Sequence, residues 1–120
     1  MAAHLFAAID VGSFELEIGI YETTSRNELR EIDHLRHVIS LGRDTYHTGK
    51  ISYHLVDEMC QVLEEFAQVM KSYQVEDYRA YATSAMREAK NSQIILEQIR
   101  VRTGLTVQII SNSEQRLLTY

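Results

Sequence analysis

Leu5-Phe6-Ala7-Ala8-Ile9-Asp10-Val11-Gly12-Ser13-Phe14-Glu15-Leu16-Glu17-Ile18-Gly19-Ile20-Tyr21 holds two strands and the turn between them. Leu5 to Val11 is a short apolar run stopped by Gly12, the pattern of a buried strand. Leu16, Ile18 and Ile20 then alternate with Glu17, Gly19 and Tyr21, the period of two of a half-buried strand. Gly12-Ser13 between them predicts a hairpin. Glu28 to Leu41 reads as a weaker third strand, with Ile32, His34, Arg36 and Val38 on one face and Leu35, His37 and Ile39 on the other. The first forty residues thus form an antiparallel meander.

Beyond it the period changes. Leu55, Met59, Val62, Leu63, Phe66, Val69, Met70 and Tyr73 fall at helical spacing, which predicts one long amphipathic helix from about Ser52, its N-cap, to Tyr73. Tyr78 to Thr83 reads as a strand and Ser92 to Arg102 as a helix stopped by Gly104. Leu105 to Ile110 is a fifth strand, and another helix begins near Ser113. Strand-helix-strand-helix order implies parallel pairing through right-handed crossovers. The expectation is an α/β domain on a mixed five-stranded sheet, three strands antiparallel and the last two parallel. Leu117-Leu118-Thr119-Tyr120 carries no helix stop, which reads as a cut inside a longer protein or at the edge of its first domain.

Composition narrows the function. The 120 residues are 45% apolar and 24% charged with net charge −5, enough for one modest core and too mixed for disorder. The acidic balance argues against sequence-independent nucleic-acid binding, which needs a basic stripe. No apolar run reaches membrane-span length, and no basic region precedes a signal-like stretch, so the expected setting is cytoplasmic, without membrane or nucleic-acid partners. A lone Cys60 excludes an internal disulfide framework, and it reads as a core-edge residue of the long helix.

Three segments carry candidate chemistry. Asp10-Val11-Gly12-Ser13 closes the first strand: glycine lets backbone amides approach an anion, and Asp10 could hold a divalent cation, although the motif also occurs at ordinary turns. Arg87, in Thr83-Ser84-Ala85-Met86-Arg87-Glu88-Ala89-Lys90-Asn91, follows the fourth strand, where parallel α/β sheets gather ligands. It could clamp a phosphate with its guanidinium fork or simply pair with a carboxylate such as Glu88. Glu114, after the fifth strand, could be a general base, or the capping partner of Ser111 in Ser111-x-x-Glu114.

In order and spacing these segments resemble the exopolyphosphatase and guanosine pentaphosphate phosphatase family, within the sugar kinase, Hsp70 and actin superfamily. Ala8-Ile9-Asp10-Val11-Gly12-Ser13 resembles its first phosphate loop. Ile39-Ser40-Leu41-Gly42 and Thr48-Gly49-Lys50-Ile51-Ser52 resemble the approach to the long helix. Ala82-Thr83-Ser84-Ala85-Met86-Arg87-Glu88-Ala89 with Asn91 is the strongest match, and Thr103-Gly104-Leu105, Ile109-Ile110-Ser111 and Glu114-Gln115-Arg116-Leu117 complete it. The resemblance implies a ribonuclease H-like (actin-like ATPase) fold over residues 1–120 as an N-terminal domain. It also implies Mg²⁺-assisted release of terminal orthophosphate from polyphosphate or guanosine pentaphosphate, and a homodimer for the complete protein. Asp10 would meet metal, Gly12, Ser13 and Arg87 would meet phosphate, and Glu114 would be the base.

Three departures accompany it. The family loop continues Gly-Ser-Asn-Ser, but here it is Gly12-Ser13-Phe14-Glu15. Placing Glu114 as base requires a one-residue gap; without it Gln115 takes that position. The second phosphate loop, Asp-x-Gly-Gly-Gly-Ser, does not occur in the chain, so half a site is expected, inactive alone, with the remainder in a C-terminal domain of the same protein. The alternatives are a non-catalytic domain binding a phosphorylated nucleotide, favoured by Phe14-Glu15, and one lobe of a superfamily ATPase or kinase.

Overall fold

The computed structural model describes residues 4–26 and 28–111. Its elements run β1 (Leu5–Val11), β2 (Glu15–Thr23), β3 (Leu29–Val38), α1 (Leu41–Thr48), α2 (Tyr53–Tyr73), β4 (Asp77–Ala82), α3 (Ser84–Glu88), α4 (Ser92–Thr103) and β5 (Gln108–Ile109). The sheet order is β3-β2-β1-β4-β5. β1 pairs antiparallel with β2 and β2 with β3, while β1–β4 and β4–β5 are parallel. This is the expected mixed α/β sheet.

Alternation decides which face is covered. Ala7, Ile9, Val11, Leu16, Ile18, Ile20, Ala80 and Ala82 are buried and share one core with Met59, Leu63 and Phe66 of α2 and Ile95 and Ile99 of α4. The opposite face presents Asp10, Glu17, Gly19, Tyr21 and Tyr81, which line an open cleft of about 350 Å³. Val11 registers with Ala82, and Ala82 with Ile109. The parallel strands β1, β4 and β5 therefore end at one edge, and all three candidate segments leave from it.

Several elements depart from expectation. The third strand stops at Val38 rather than Leu41, because Leu41 is fully buried as the first residue of α1. α1 and α3 were not anticipated: α1 buries only Leu41, Gly42 and Thr45, and α3 has five residues, too few for a period. Ile32 does not share a face with His34, Arg36 and Val38. The β2–β3 register passes from Ile20↔Asp33 to Tyr21↔Glu31, and the residue skipped is Ile32, which packs on the core. Ser52 is the N-cap of α2, but its hydroxyl meets His54 Nδ1 at 3.1 Å instead of a helix amide. β5 has two residues rather than six, since upstream the Thr106 N–H donates to the Tyr78 hydroxyl at 3.0 Å and not to a ladder. The helix expected near Ser113 lies outside the described residues.

Asn91, at the end of the strongest-matching segment, is a structural clasp. Its Nδ2 donates to the Ile51 carbonyl at 3.0 Å, and its Oδ1 accepts from the Ile51 N–H at 3.2 Å. Ile51 is buried, so Asn91→Ala orphans two backbone groups, each costing about 1–3 kcal/mol. A clearly lowered melting temperature is expected; an unchanged one would refute the clasp.

Candidate active site

The turn after β1 is closed by the Gly12 N–H donating to the Glu15 carbonyl at 3.0 Å. Gly12 thus shapes the loop, and its own amide is used within it. Ser13 is where the segments converge. Its Oγ lies 2.8 Å from Ser84 Oγ and 3.3 Å from the Tyr46 hydroxyl, and it accepts from the Ala85 N–H at 3.2 Å. The Thr83 N–H donates to the Val11 carbonyl at 3.2 Å, continuing the β1–β4 pairing into both loops. Tyr46 also lies 2.8 Å from Ser84 Oγ. Sequence reasoning did not find Tyr46, because it belongs to the unanticipated α1.

Arg87 donates from Nη1 to the Ile110 carbonyl at 2.6 Å. This contact reaches the carbonyl that follows β5 directly. A guanidinium carries five N–H donors in a planar fork. Arg87 ties the exit of β5 to the segment that follows β4, beside Ser84. Ser13 and Arg87 are thereby gathered at the carboxyl edge, where an oligophosphate would meet hydroxyls and a cation.

Asp10 pairs across the sheet with Glu17 and Tyr81 and projects into the cleft. Desolvation, and secondarily the neighbouring Glu15 charge, raise its carboxyl above the ordinary value of 3.8. Glu17 is raised as well, first by desolvation and then by Glu15, with His34 acting in the opposite direction. Among the described residues no group of three or more His, Cys, Asp or Glu converges as a metal cage. Mg²⁺ does not require one: it is commonly held by one or two carboxylates with waters and substrate phosphates. A desolvated Asp10 beside two further carboxylates suits that role, because a cation would relieve its penalty. Glu114 lies outside the described residues.

Gly42 permits this convergence. Its N–H donates to the Ser13 carbonyl at 2.8 Å, and a Cβ there would lie 3.0 Å from Ser13 Cβ, 3.0 Å from Tyr46 Cε2 and 3.2 Å from Phe14 Cζ. Gly42→Ala gains about 1 kcal/mol of helix propensity, against an overpacking cost of about 1–3 kcal/mol. The net cost of about 0–2 kcal/mol should lower the melting temperature modestly while Ser13 is displaced. The expected signature is weaker phosphate-chain binding in a protein that still folds; unchanged binding would contradict this packing.

No helix among the described residues is long and apolar enough to cross a membrane. Residues 20–120 match the family model for the Ppx/GppA phosphatase family. Exopolyphosphatase 1 of Mycobacterium tuberculosis is 27% identical over 112 residues, covering 93% of this chain and 33% of that protein. The crystal structure of the Aquifex aeolicus Ppx/GppA family member superposes with a TM-score of 0.91 at 30% identity, covering 95% of this chain and 37% of the other. An exopolyphosphatase from Cytophaga hutchinsonii shares the fold, with a TM-score of 0.90 at 20% identity over 96% of this chain and 36% of its own. The chain spans about a third of the length of these relatives. The described strand order, with the actin-like ATPase fold of these neighbours and the match over residues 20–120, places the chain in the Ppx/GppA phosphatase family.

Proposed function

We propose that this chain is the N-terminal domain of a phosphoanhydride hydrolase that releases terminal orthophosphate from inorganic polyphosphate. Guanosine pentaphosphate is the alternative substrate of the same chemistry. The observation that carries the reading is the convergence of Ser13, Ser84 and Arg87 where β1, β4 and β5 end together. Phosphoryl transfer requires positioning and charge neutralisation more than covalent chemistry, and hydroxyls, a guanidinium and a carboxylate supply both. In this reading Ser13 and Arg87 bind the phosphate chain on a loop shaped by Gly12, and Glu114 takes the proton of the attacking water. Asp10 would hold Mg²⁺, which when bound offsets phosphate charge. A C-terminal domain of the same protein supplies the second phosphate loop, so residues 1–120 alone are inactive. The complete protein is a cytoplasmic homodimer with neither nucleic-acid nor membrane partners.

Phe14, 57% exposed beside the loop, favours one second reading, a regulatory domain that binds a phosphorylated nucleotide without turning it over. The test uses the protein expressed from its complete reading frame, with Mg²⁺ and either polyphosphate, guanosine pentaphosphate, or ATP plus an acceptor. Orthophosphate release from polyphosphate, abolished by a chelator, is expected. Guanosine pentaphosphate binding without release would favour the regulatory domain, and transfer from ATP to the acceptor would favour a kinase lobe.

A further inference from the structure

We propose that Tyr46, reaching in from α1, is a phosphate-binding residue that supplies the first loop with the hydroxyl donor its own sequence lacks. The proposal rests on the phosphatase reading above and assigns a residue within that site. Where the family pattern carries Asn-Ser, this loop carries Phe14-Glu15. Neither replaces the lost donors: Phe14 is a hydrocarbon ring turned toward Gly42, and the Glu15 carboxylate accepts from Arg36 Nε at 2.8 Å. Tyr46 brings a hydroxyl to the same place from another element.

Three hydroxyls from three segments form a triangle. Ser13 to Ser84 is 2.8 Å, Tyr46 to Ser84 is 2.8 Å and Tyr46 to Ser13 is 3.3 Å. Each hydroxyl has one proton and can turn it, so three protons circulate around the triangle when nothing else accepts them. A phosphoryl oxygen at its mouth can accept from all three at once. The Ala85 N–H stays on Ser13 Oγ and holds the loop while the protons turn. The Tyr46 residue is 55% exposed, so the triangle is reached from solvent. The rival role is a latch that pins α1 to the loop and touches no substrate.

Tyr46→Phe separates the two in the protein expressed from its complete reading frame. The ring and its packing on Gly42 remain, and one donor is lost. The expected result is a KM for polyphosphate raised by about 3- to 10-fold, with kcat and melting temperature nearly unchanged. Restoring the family loop with Phe14→Asn and Glu15→Ser should shrink that penalty. An unaltered KM, or the same penalty in both backgrounds, would overturn the proposal. If the loop variant does not fold, tyrosine difference absorption on adding tripolyphosphate decides: a perturbation missing from Y46F supports the assignment, and identical spectra overturn it. Turnover that ignores Y46F would sink this assignment and leave the phosphatase standing. A Tyr46-dependent spectrum without any turnover would do the reverse.

Discussion

Glu114→Gln in the protein expressed from its complete reading frame is expected to slow orthophosphate release by about 10²–10⁴-fold, the contribution of a positioned general base. Glutamine keeps the size of the side chain and its acceptor oxygen but takes no proton at neutral pH. It also preserves the competing structural role, since glutamine serves in the capping box as well as glutamate does. Stability should therefore remain while the rate collapses. Gln115→Ala should leave the rate intact, fixing the one-residue gap in the match. A Glu114→Gln enzyme with an undiminished rate would mean that Glu114 is only a cap. The segment carrying Glu114 departs from the end of β5, which Arg87 holds through the Ile110 carbonyl.

Asp10→Asn is expected to lower activity by about 10²–10³-fold, the scale of losing a group that organises charge at the reacting phosphate. The diagnostic part is its effect on stability. Asp10 has a raised pKa, so its ionised form is disfavoured in the folded protein, by desolvation first and by Glu15 second. That penalty is absent below the ordinary value of 3.8 and is present in full once the pH exceeds the raised one. Asparagine removes it. The variant should melt at the same temperature as the parent or higher at pH 7, with that advantage vanishing in acid. A residue that weakens the fold yet is needed for turnover is the mark of a functional site. If Asp10→Asn melts lower at pH 7 and remains active, Asp10 is a structural carboxylate.

The sheet was legible because its signal is strong and local. Leu16, Ile18 and Ile20 against Glu17, Gly19 and Tyr21 dictate a face, and the α2 stripe through Met59, Leu63 and Phe66 dictates another. The short elements were not. α1 contains few apolar residues, and Thr45 and Thr48 satisfy their hydroxyls by bonding back to the Leu41 and Asp44 carbonyls, which no period reveals. The slip at Ile32 was equally hidden, because a bulge depends on the register with β2 rather than on β3 itself. In the site, Ser13 and Arg87 could be named from their motifs, but their partners could not. Tyr46 is 33 residues from Ser13 in sequence, and only the fold brings it to 3.3 Å. Asn91 lies in a functional-looking segment, yet the structure gives it to the backbone of Ile51.

The central claim is that a phosphate chain is held where β1, β4 and β5 end. Amide chemical-shift perturbation of the isotopically labelled complete protein by tripolyphosphate and Mg²⁺ tests it most directly. The account predicts the largest shifts at Gly12, Ser13 and Ser84 through Arg87, lost in Ser13→Ala. Perturbations confined to other surfaces, or none at saturating tripolyphosphate, would contradict it.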